Sequence, residues 1–337
     1  MSGSHDPNPI ERDRKSDASF ESLAEIITGE LLAGGPLGDR LATADGARGA
    51  GELIAAAVLD RFVVRPRPAE RVHDHVSRGP PADSGVILEV RDLSVAYGTK
   101  TAVDGISLQM TRGEIFGLLG PNGAGKTSTL SAIEGLITPR SGAVFLDGVD
   151  IRRHPSQAKA KLGVQLQATS FQSQLTIKQI VRLYAGLYGL RLSDPEITAG
   201  LQEIGLEGEA SKPFKQLSGG QQQRLSLYVA VVHEPALLLL DEPTAGLDPQ
   251  SRRQLWGRIE HIRGQGGSIL LTTHSMEEAE AVCDRVAIID HGTLLTCETP
   301  QNLIAKHKDD PEVQKVAHGE VTLEDVFIGL TGSEIRD

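Results

Sequence analysis

The chain has 337 residues, of which 39% are hydrophobic and 23% charged, and its formal net charge is −11. This length allows one large domain or two smaller ones of ordinary globular composition. An acidic surface repels polyphosphate backbones, so nonspecific binding to nucleic acid or to an anionic membrane is not expected. No segment approaches the roughly 20 apolar residues that span a bilayer. Two cysteines, Cys283 and Cys297, are too few for a disulfide framework, so we expect reduced thiols and a cytosolic protein.

Residues 1–85 differ in composition from the rest of the chain. They are rich in proline, glycine, aspartate and arginine, as in GSHDPNPIERDRKSD. Two stretches, at about 17–32 and 52–64, have the apolar spacing of amphipathic helices. We predict a largely disordered N-terminal extension with transient helices. The alternatives are a docking element for a partner and a translation start assigned too far upstream.

Residues 86–310 have the pattern of an α/β domain. Antiparallel strands are predicted for VILEVRDLSVAYG and AVDGISLQM, with a turn at Asp104-Gly105. Short apolar runs of buried-strand length follow in GEIFGLLG, ALLLLDE, SILLTTH and RVAIIDHG, separated by helical or turn material. Residues from about 168 to 233 have helical periodicity and no strong strand. These patterns predict a mainly parallel sheet with an antiparallel β subdomain and an α-helical insertion.

Residues 311–337 are predicted to form a C-terminal tail. Its segment VTLEDVFIGLTG is typical of a short helix, with Thr322 as the N-terminal cap. Glu324 and Asp325 in the first turn would interact favourably with the positive end of the helix.

A phosphate-binding loop is predicted at residues 120–127, GPNGAGKT, which fit the pattern G-x-x-x-x-G-K-[ST]. Glycines let successive backbone N–H groups point at phosphate oxygens, and the following helix adds its positive N-terminus. Lys126 is placed to reach the β- and γ-phosphates, and the Thr127 hydroxyl to ligate Mg²⁺. We call residues 120–127 the phosphate loop.

A buried strand in LLLLDEP would end at Asp241 and bring its carboxylate to the edge of the sheet, near Mg²⁺. Glu242 then follows in a position to polarise an attacking water. Paired carboxylates at a strand end are also common helix caps, but the phosphate loop favours a catalytic role.

Five motifs in order give the chain a specific resemblance. They are the phosphate loop, LSGGQQQR at 217–224, LLLLDE, AGLD and TTH. In this order they resemble the ATP-binding-cassette (ABC) ATPases over residues 86–332. The resemblance implies a P-loop NTPase fold and hydrolysis of ATP with Mg²⁺.

The resemblance also implies a role for each matching residue. It gives Lys126, Gln167, Glu242 and His274 catalytic roles, with Glu242 as the general base and His274 contacting the γ-phosphate. It makes Gln167, although Gln165 stands nearby, a ligand of Mg²⁺ together with Thr127 and Asp241. It puts Asp248 in a loop that crosses a dimer interface. The implied contacts with ATP are Tyr97 on adenine and Gly120, Pro121, Asn122, Gly123, Ala124, Gly125, Lys126, Thr127 and Ser128 on phosphate. The implied contacts with ATP held by a second cassette are Ser218, Gly219, Gly220 and Gln221, which we call the signature segment.

The resemblance further implies partners. The expected assembly is an ATP-dependent, head-to-tail homodimer bound to a separate membrane permease at the inner face of the cell membrane. The pieces AVDGISLQMTRGEIFGLLGPNGAGKTSTL, IEGL and TTHSMEEAEAVCDRVAIIDHGTLL favour a drug- or lipid-exporter branch of the family. The ending VTLEDVFIGLTG is similar to exporter ATPases of the daunorubicin-resistance type. The alternatives are a soluble cassette ATPase acting in translation or DNA maintenance, and an importer ATPase.

Overall fold

The computed structural model describes residues 85–165, 171–172 and 174–332. The predicted N-terminal extension, with its helices at 17–32 and 52–64, and Gln167 lie outside the described residues. The chain divides into two compact units. The core unit has described residues 85–165 and 226–332, and the helical unit has described residues 171–172 and 174–225. No helix in the described ranges is both long enough and apolar enough to cross a bilayer.

The described strands all belong to the core unit. In chain order they are β1 Val86–Tyr97, β2 Lys100–Thr111, β3 Ile115–Leu119, β4 Ser141–Leu146, β5 Val149–Asp150, β6 Leu162–Val164, β7 Leu237–Asp241, β8 Ser268–Thr273, β9 Arg285–Asp290 and β10 Thr293–Glu298. The described helices are α1 Lys126–Ile133, α2 Pro155–Lys159, α3 Ile177–Leu187, α4 Asp194–Glu203, α5 Gly219–Val231, α6 Pro249–Gly264, α7 Met276–Val282, α8 Pro300–His307, α9 Pro311–Val316 and α10 Leu323–Thr331.

The main sheet has six strands in the order β10-β9-β3-β8-β7-β6. Strands β3, β6, β7, β8 and β9 run parallel, and β10 is an antiparallel edge strand. Every residue of β3 and β8 is buried, as expected of parallel strands covered on both faces. The predicted mainly parallel sheet is therefore confirmed.

Successive residues of the main sheet pack into two apolar clusters because strand side chains alternate between faces. In β3, Phe116 and Leu118 join the cluster that includes β1 and β2. Ile115 and Leu119 join the cluster on the other face, which includes helices α6 to α10. This packing on both faces holds the strands in place. The polar residues discussed below lie at the carboxyl ends of these strands.

A smaller antiparallel sheet has the order β2-β1-β4-β5. The antiparallel subdomain was predicted correctly, but the turn at Asp104-Gly105 was wrong. The hairpin turns at residues 98–99, and Gly105 lies inside β2 with a φ of 66°. The β1–β2 register shifts there, between the pairs Leu93–Ile106 and Val95–Val103. Asp-Gly marks a β-bulge in this strand, and the left-handed backbone that suits a turn suits a bulge equally well.

The helical unit contains α3, α4 and the start of α5, and its described residues form no strand beyond a single bridge between Thr176 and Pro213. Its centre holds Phe171, whose ring centroid lies 5.3 Å from that of Tyr184 and 5.0 Å from that of Phe214. The predicted helical insertion is present, and the division from the core unit falls after Leu225, inside α5.

Helix α10 begins as predicted. The Thr322 hydroxyl accepts a hydrogen bond from the Asp325 N–H, and the Asp325 carboxylate accepts one from the Thr322 N–H. Leu323, Val326 and Phe327 are buried in the same apolar cluster as Ile269 and Leu271 of β8, so α10 packs within the core unit. The domain boundaries at residues 85 and 310 stay predictions.

Candidate active site

The phosphate loop connects β3 to α1 and is packed closely against its neighbours. A Cβ atom at Gly120 would lie 2.4 Å from the Ile289 carbonyl oxygen, and one at Gly125 would lie 2.5 Å from the Ala102 carbonyl oxygen. Gly125 also has a φ of 107°, which L side chains rarely adopt. Glycine is therefore required at these two positions, and the loop keeps its curled path with its backbone accessible at Asn122 and Gly123, which are exposed.

Lys126 begins α1 and folds back over this loop. Its ammonium donates hydrogen bonds to the carbonyl oxygens of Gly120 at 2.7 Å and Pro121 at 3.2 Å, and the residue is only 6% exposed. Burial lowers the pKa of Lys126, while the charges of Glu242 and Asp241 oppose that shift. The lysine thus lies close enough to both carboxylates to interact with them electrostatically.

The residues flanking Lys126 are more open to solvent. Thr127 is exposed, as an ion or phosphate ligand requires. Tyr97, at the end of β1, is 54% exposed, and its hydroxyl lies 3.5 Å from the Ser128 hydroxyl. An exposed aromatic ring therefore lies beside the phosphate loop. A tyrosine on the surface of a strand with no ligand would be exposed in the same way.

The acidic end of β7 lies next to β8 in the sheet. Asp241 is exposed, and Glu242 follows with a φ of 45° in the left-handed region. His274 comes directly after β8, and its Nδ1 lies 3.5 Å from Glu242 Oε1. The structure therefore brings together four predicted residues, Lys126, Asp241, Glu242 and His274, at the carboxyl edge of one sheet.

Asp248 precedes α6 and has the geometry of a helix cap. Its Oδ1 accepts hydrogen bonds from the N–H groups of Gln250 and Ser251, each at 3.0 Å, and its Oδ2 accepts one from the Ser251 hydroxyl. The hydrogen bonds from Ser251 lower the pKa of Asp248. These contacts account for an aspartate here without any partner chain.

The signature segment lies in the helical unit, at the start of α5. The Gln221 side-chain oxygen accepts a hydrogen bond from the Ser218 N–H at 2.9 Å, and the Ser218 hydroxyl accepts one from the Gln221 N–H. Ser218 and Gly219 are exposed. A helix start with exposed small residues offers accessible N–H groups to an anion.

Gln167 cannot be placed, because it lies outside the described residues. The neighbouring Gln165 follows β6, and its side-chain oxygen is buried with no hydrogen-bond partner within the described ranges. Its backbone N–H donates to the Leu239 carbonyl, which continues the β6–β7 ladder. The assignment of the Mg²⁺-ligand role to Gln167 rather than Gln165 therefore stays a prediction from the sequence pattern.

Two polar residues near this edge were not singled out from the sequence. Thr272 hydrogen-bonds to the Asp241 side chain and to the Glu242 backbone. Glu134, at the end of α1, has its pKa raised to about 7 by burial and by the charge of Asp241. Thr272 is the first residue of the motif TTH, but His274 was the residue of that motif to which the resemblance gave a role.

Comparison with known proteins identifies the family. The sequence model of the family described as ABC transporter matches residues 103–245, which include the phosphate loop and the end of β7. The Nod factor export ATP-binding protein I of Ralstonia nicotianae is 34% identical over 77% of this chain, and the match covers 98% of that protein. This chain belongs to the ABC transporter ATP-binding proteins. As a member of that family it binds and hydrolyses ATP.

Two further matches agree with this family. The probable multidrug ABC transporter ATP-binding protein YbhF of Escherichia coli is 37% identical over 76% of this chain. The match spans only 43% of that longer relative. A solved structure described as the ATP-binding subunit of an ABC transporter is 29% identical, with a TM-score of 0.64 over 72% of this chain and 99% of that one. The predicted family, ATPase class and cassette fold are confirmed, and the Ralstonia relative is named for Nod factor export.

Proposed function

We propose that this ABC cassette hydrolyses Mg²⁺-bound ATP at the carboxyl edge of its main sheet and thereby powers export through a separate membrane permease. One observation supports this most strongly: Lys126, Asp241, Glu242 and His274 converge at that edge beside the phosphate loop. A phosphate-binding lysine, a carboxylate for Mg²⁺ and a residue that positions the attacking water are the groups that recur in phosphoryl transfer to water.

The phosphate loop would hold the nucleotide with its backbone. N–H groups from Asn122 to Thr127 and the positive end of α1 attract phosphate oxygens. In this structure the Lys126 ammonium is bound to two loop carbonyls. Arrival of a phosphate would give it a charged partner in place of those carbonyls, which strengthens the hydrogen bonds it makes. Tyr97 would stack on the adenine ring.

The residues present suit Mg²⁺. Thr127 and Asp241 supply the hard oxygen ligands that this ion prefers, and both are exposed. Gln167 is the third ligand implied by the resemblance. Within the described residues no group of three or more acidic, histidine or cysteine side chains forms a complete metal site. That suits an ion held by few protein ligands together with phosphates. When bound, Mg²⁺ neutralises charge on the phosphate oxygens.

Glu242 would act as the general base. Its Oε1 lies 3.5 Å from Nδ1 of His274, which would contact the γ-phosphate, so a water bound to the Glu242 carboxylate would lie beside that phosphate for in-line attack. Because the backbone at Glu242 is in the left-handed region, its side chain would point in a different direction from that of Asp241. One carboxylate is then available to the metal and the other to water.

The signature segment would complete the site of a second cassette. Ser218, Gly219, Gly220 and Gln221 begin a helix, and N–H groups at a helix start bind phosphate. ATP would then hold two copies of the chain together head to tail, with Asp248 near their interface. Hydrolysis would release them.

Export is favoured over the alternatives. The relatives are named for multidrug transport and for Nod factor export. A cassette acting in translation or DNA maintenance would bind nucleic acid, which a net charge of −11 does not favour. We place the chain at the cytoplasmic face of the membrane, bound to a permease that selects a drug-like or lipid-like compound. An importer ATPase is the remaining alternative.

The Glu242→Gln variant tests the proposed chemistry. We expect it to keep equilibrium ATP binding and to lose turnover by about 10²- to 10⁴-fold, the usual effect of removing a general base. Glu234→Gln is a matched control, because Glu234 is an exposed glutamate with a similar φ of 52°. Near-normal turnover in Glu242→Gln would assign the base to another residue.

A further inference from the structure

Thr272 is the last residue but one of β8, and its side chain is completely buried. It lies directly opposite Asp241 in the parallel register of β7 and β8. Its hydroxyl donates a hydrogen bond to Asp241 Oδ1 at 2.5 Å and accepts one from the Glu242 N–H at 2.9 Å. One hydroxyl thus contacts both carboxylate residues of the candidate active site.

The hydrogen bond to Asp241 constrains an otherwise exposed carboxylate. An aspartate side chain at a strand end can rotate, and a metal ligand that rotates must be reordered each time the ion binds. A donor to Oδ1 fixes that rotation. Partners of this kind, which orient a metal ligand without touching the metal, affect affinity and activity strongly.

The hydrogen bond from Glu242 acts on the backbone. A φ of 45° is uncommon for a residue with a side chain and is kept only where the surroundings hold it. The Glu242 N–H points at the Thr272 oxygen and so ties this conformation to β8. The direction of the Glu242 side chain depends on the same contact.

We propose that Thr272 is a positioning residue that sets the orientation of Asp241 and Glu242 together. The proposal rests on the metal and general-base roles proposed for those two residues. A threonine hydroxyl has one donor and two acceptor sites, so it can serve both neighbours at once. Serine can replace it chemically, whereas valine has its shape without its hydroxyl.

The test compares four variants of the full chain. Thr272→Val removes the hydroxyl, and Thr272→Ser keeps it. Thr272→Ala has the same lost methyl group as Thr272→Ser, so this pair isolates the hydroxyl if valine is not tolerated. Ser268→Ala is the control for a general effect on β8, because Ser268 is also buried and accepts a hydrogen bond from the Gly113 N–H.

Three quantities are measured: kcat, KM for ATP, and binding of a fluorescent ATP analogue in EDTA and in increasing Mg²⁺. For Thr272→Val and Thr272→Ala we expect kcat to fall about 10- to 100-fold, as for other residues that orient metal ligands. Binding in EDTA should be unchanged, and the Mg²⁺ concentration that gives half of the Mg²⁺-dependent binding should rise about 10-fold. Thr272→Ser and Ser268→Ala should stay within about threefold of wild type in all three.

Asp241→Asn and Glu242→Gln distinguish failure of the proposed role of Thr272 from failure of the proposed function. If they lose turnover while Thr272→Val and Thr272→Ala retain wild-type kcat and Mg²⁺ dependence, the role of Thr272 is refuted and the proposed function stands. If Asp241→Asn and Glu242→Gln themselves keep turnover, the proposed function fails. A lower melting temperature with unchanged kcat would show that Thr272 serves stability alone, and this too would overturn the proposal.

Discussion

At the residue scale, Glu134 shows how burial and a nearby charge of the site together change the protonation of a neighbouring side chain. It directly follows α1, and its pKa is raised to about 7, first by burial and then by the Asp241 charge, while Lys159 opposes the shift. Between the ordinary pKa of 4.5 and this value, the folded chain holds a proton that the unfolded chain releases. Stability therefore falls as the pH rises through this range.

Replacing Glu134 by glutamine should remove this pH dependence. Relative to wild type, Glu134→Gln should gain about 2–3 kcal/mol in free energy of unfolding as the pH rises from about 4.5 to 7, and little beyond. Urea unfolding at several pH values measures this difference. Glu320→Gln, at an exposed position, is the control. If the free energy of unfolding changed with pH in the same way for wild type and Glu134→Gln, Glu134 would not be the source of this pH dependence.

At the scale of elements, α10 illustrates a helix whose sequence and packing agree. Its cap at Thr322 fixes where it begins, and the spacing of Leu323, Val326 and Phe327 gives it one apolar face. That face is buried in the apolar cluster of the core unit, and Phe327 is only 1% exposed. We therefore infer that the stability of this helix comes mainly from the packing of its apolar face.

Truncating Phe327 should therefore be costly. We expect Phe327→Ala to lower the free energy of unfolding by about 3–5 kcal/mol, the usual cost of removing a buried aromatic ring. Glu324→Gln, in the exposed part of the same helix, should change it by less than about 0.5 kcal/mol. Chemical denaturation of the full chain measures both. An unchanged midpoint for Phe327→Ala would mean that the helix does not contribute to the core.

The sequence allowed the residues at the ends of strong strands to be predicted. Apolar runs identified β3, β7, β8 and β9, and the polar residues that follow them are local in sequence. Strands β4, β5, β6 and β10 were not singled out. β5 and β6 have only two and three residues, and β4 and β10 are partly exposed, so their pairing partners decide their conformation. Thr272 was missed for the same reason: its contact with Asp241 depends on the register of two strands.

At the scale of the whole molecule, the phosphate loop and the signature segment belong to different compact units. One chain carries a single copy of each motif. In the proposed mechanism, each ATP is held by the phosphate loop of one copy and the signature segment of another. The site of one chain is then complete only in a pair.

A variant that binds ATP without hydrolysing it should reveal this pair. With Mg²⁺ and ATP, Glu242→Gln should have the mass of two chains by light scattering, and with EDTA the mass of one. Adding Ser218→Arg should abolish the pair by placing a bulky side chain in the signature segment. Ser211→Arg, at another exposed position of the helical unit, should leave it intact. Monomers under every condition, with or without a permease, would contradict the head-to-tail arrangement.

Retention of radiolabelled ATP by the purified chain, with and without the Lys126→Ala substitution, measures whether the phosphate loop binds the nucleotide. We expect wild type to retain ATP and Lys126→Ala to bind it about 10- to 100-fold more weakly, because the variant loses hydrogen bonds to a charged group. Lys306→Ala, which removes an exposed lysine of α8, should bind ATP as wild type does. Equal retention by wild type and Lys126→Ala would mean that ATP does not bind at the phosphate loop.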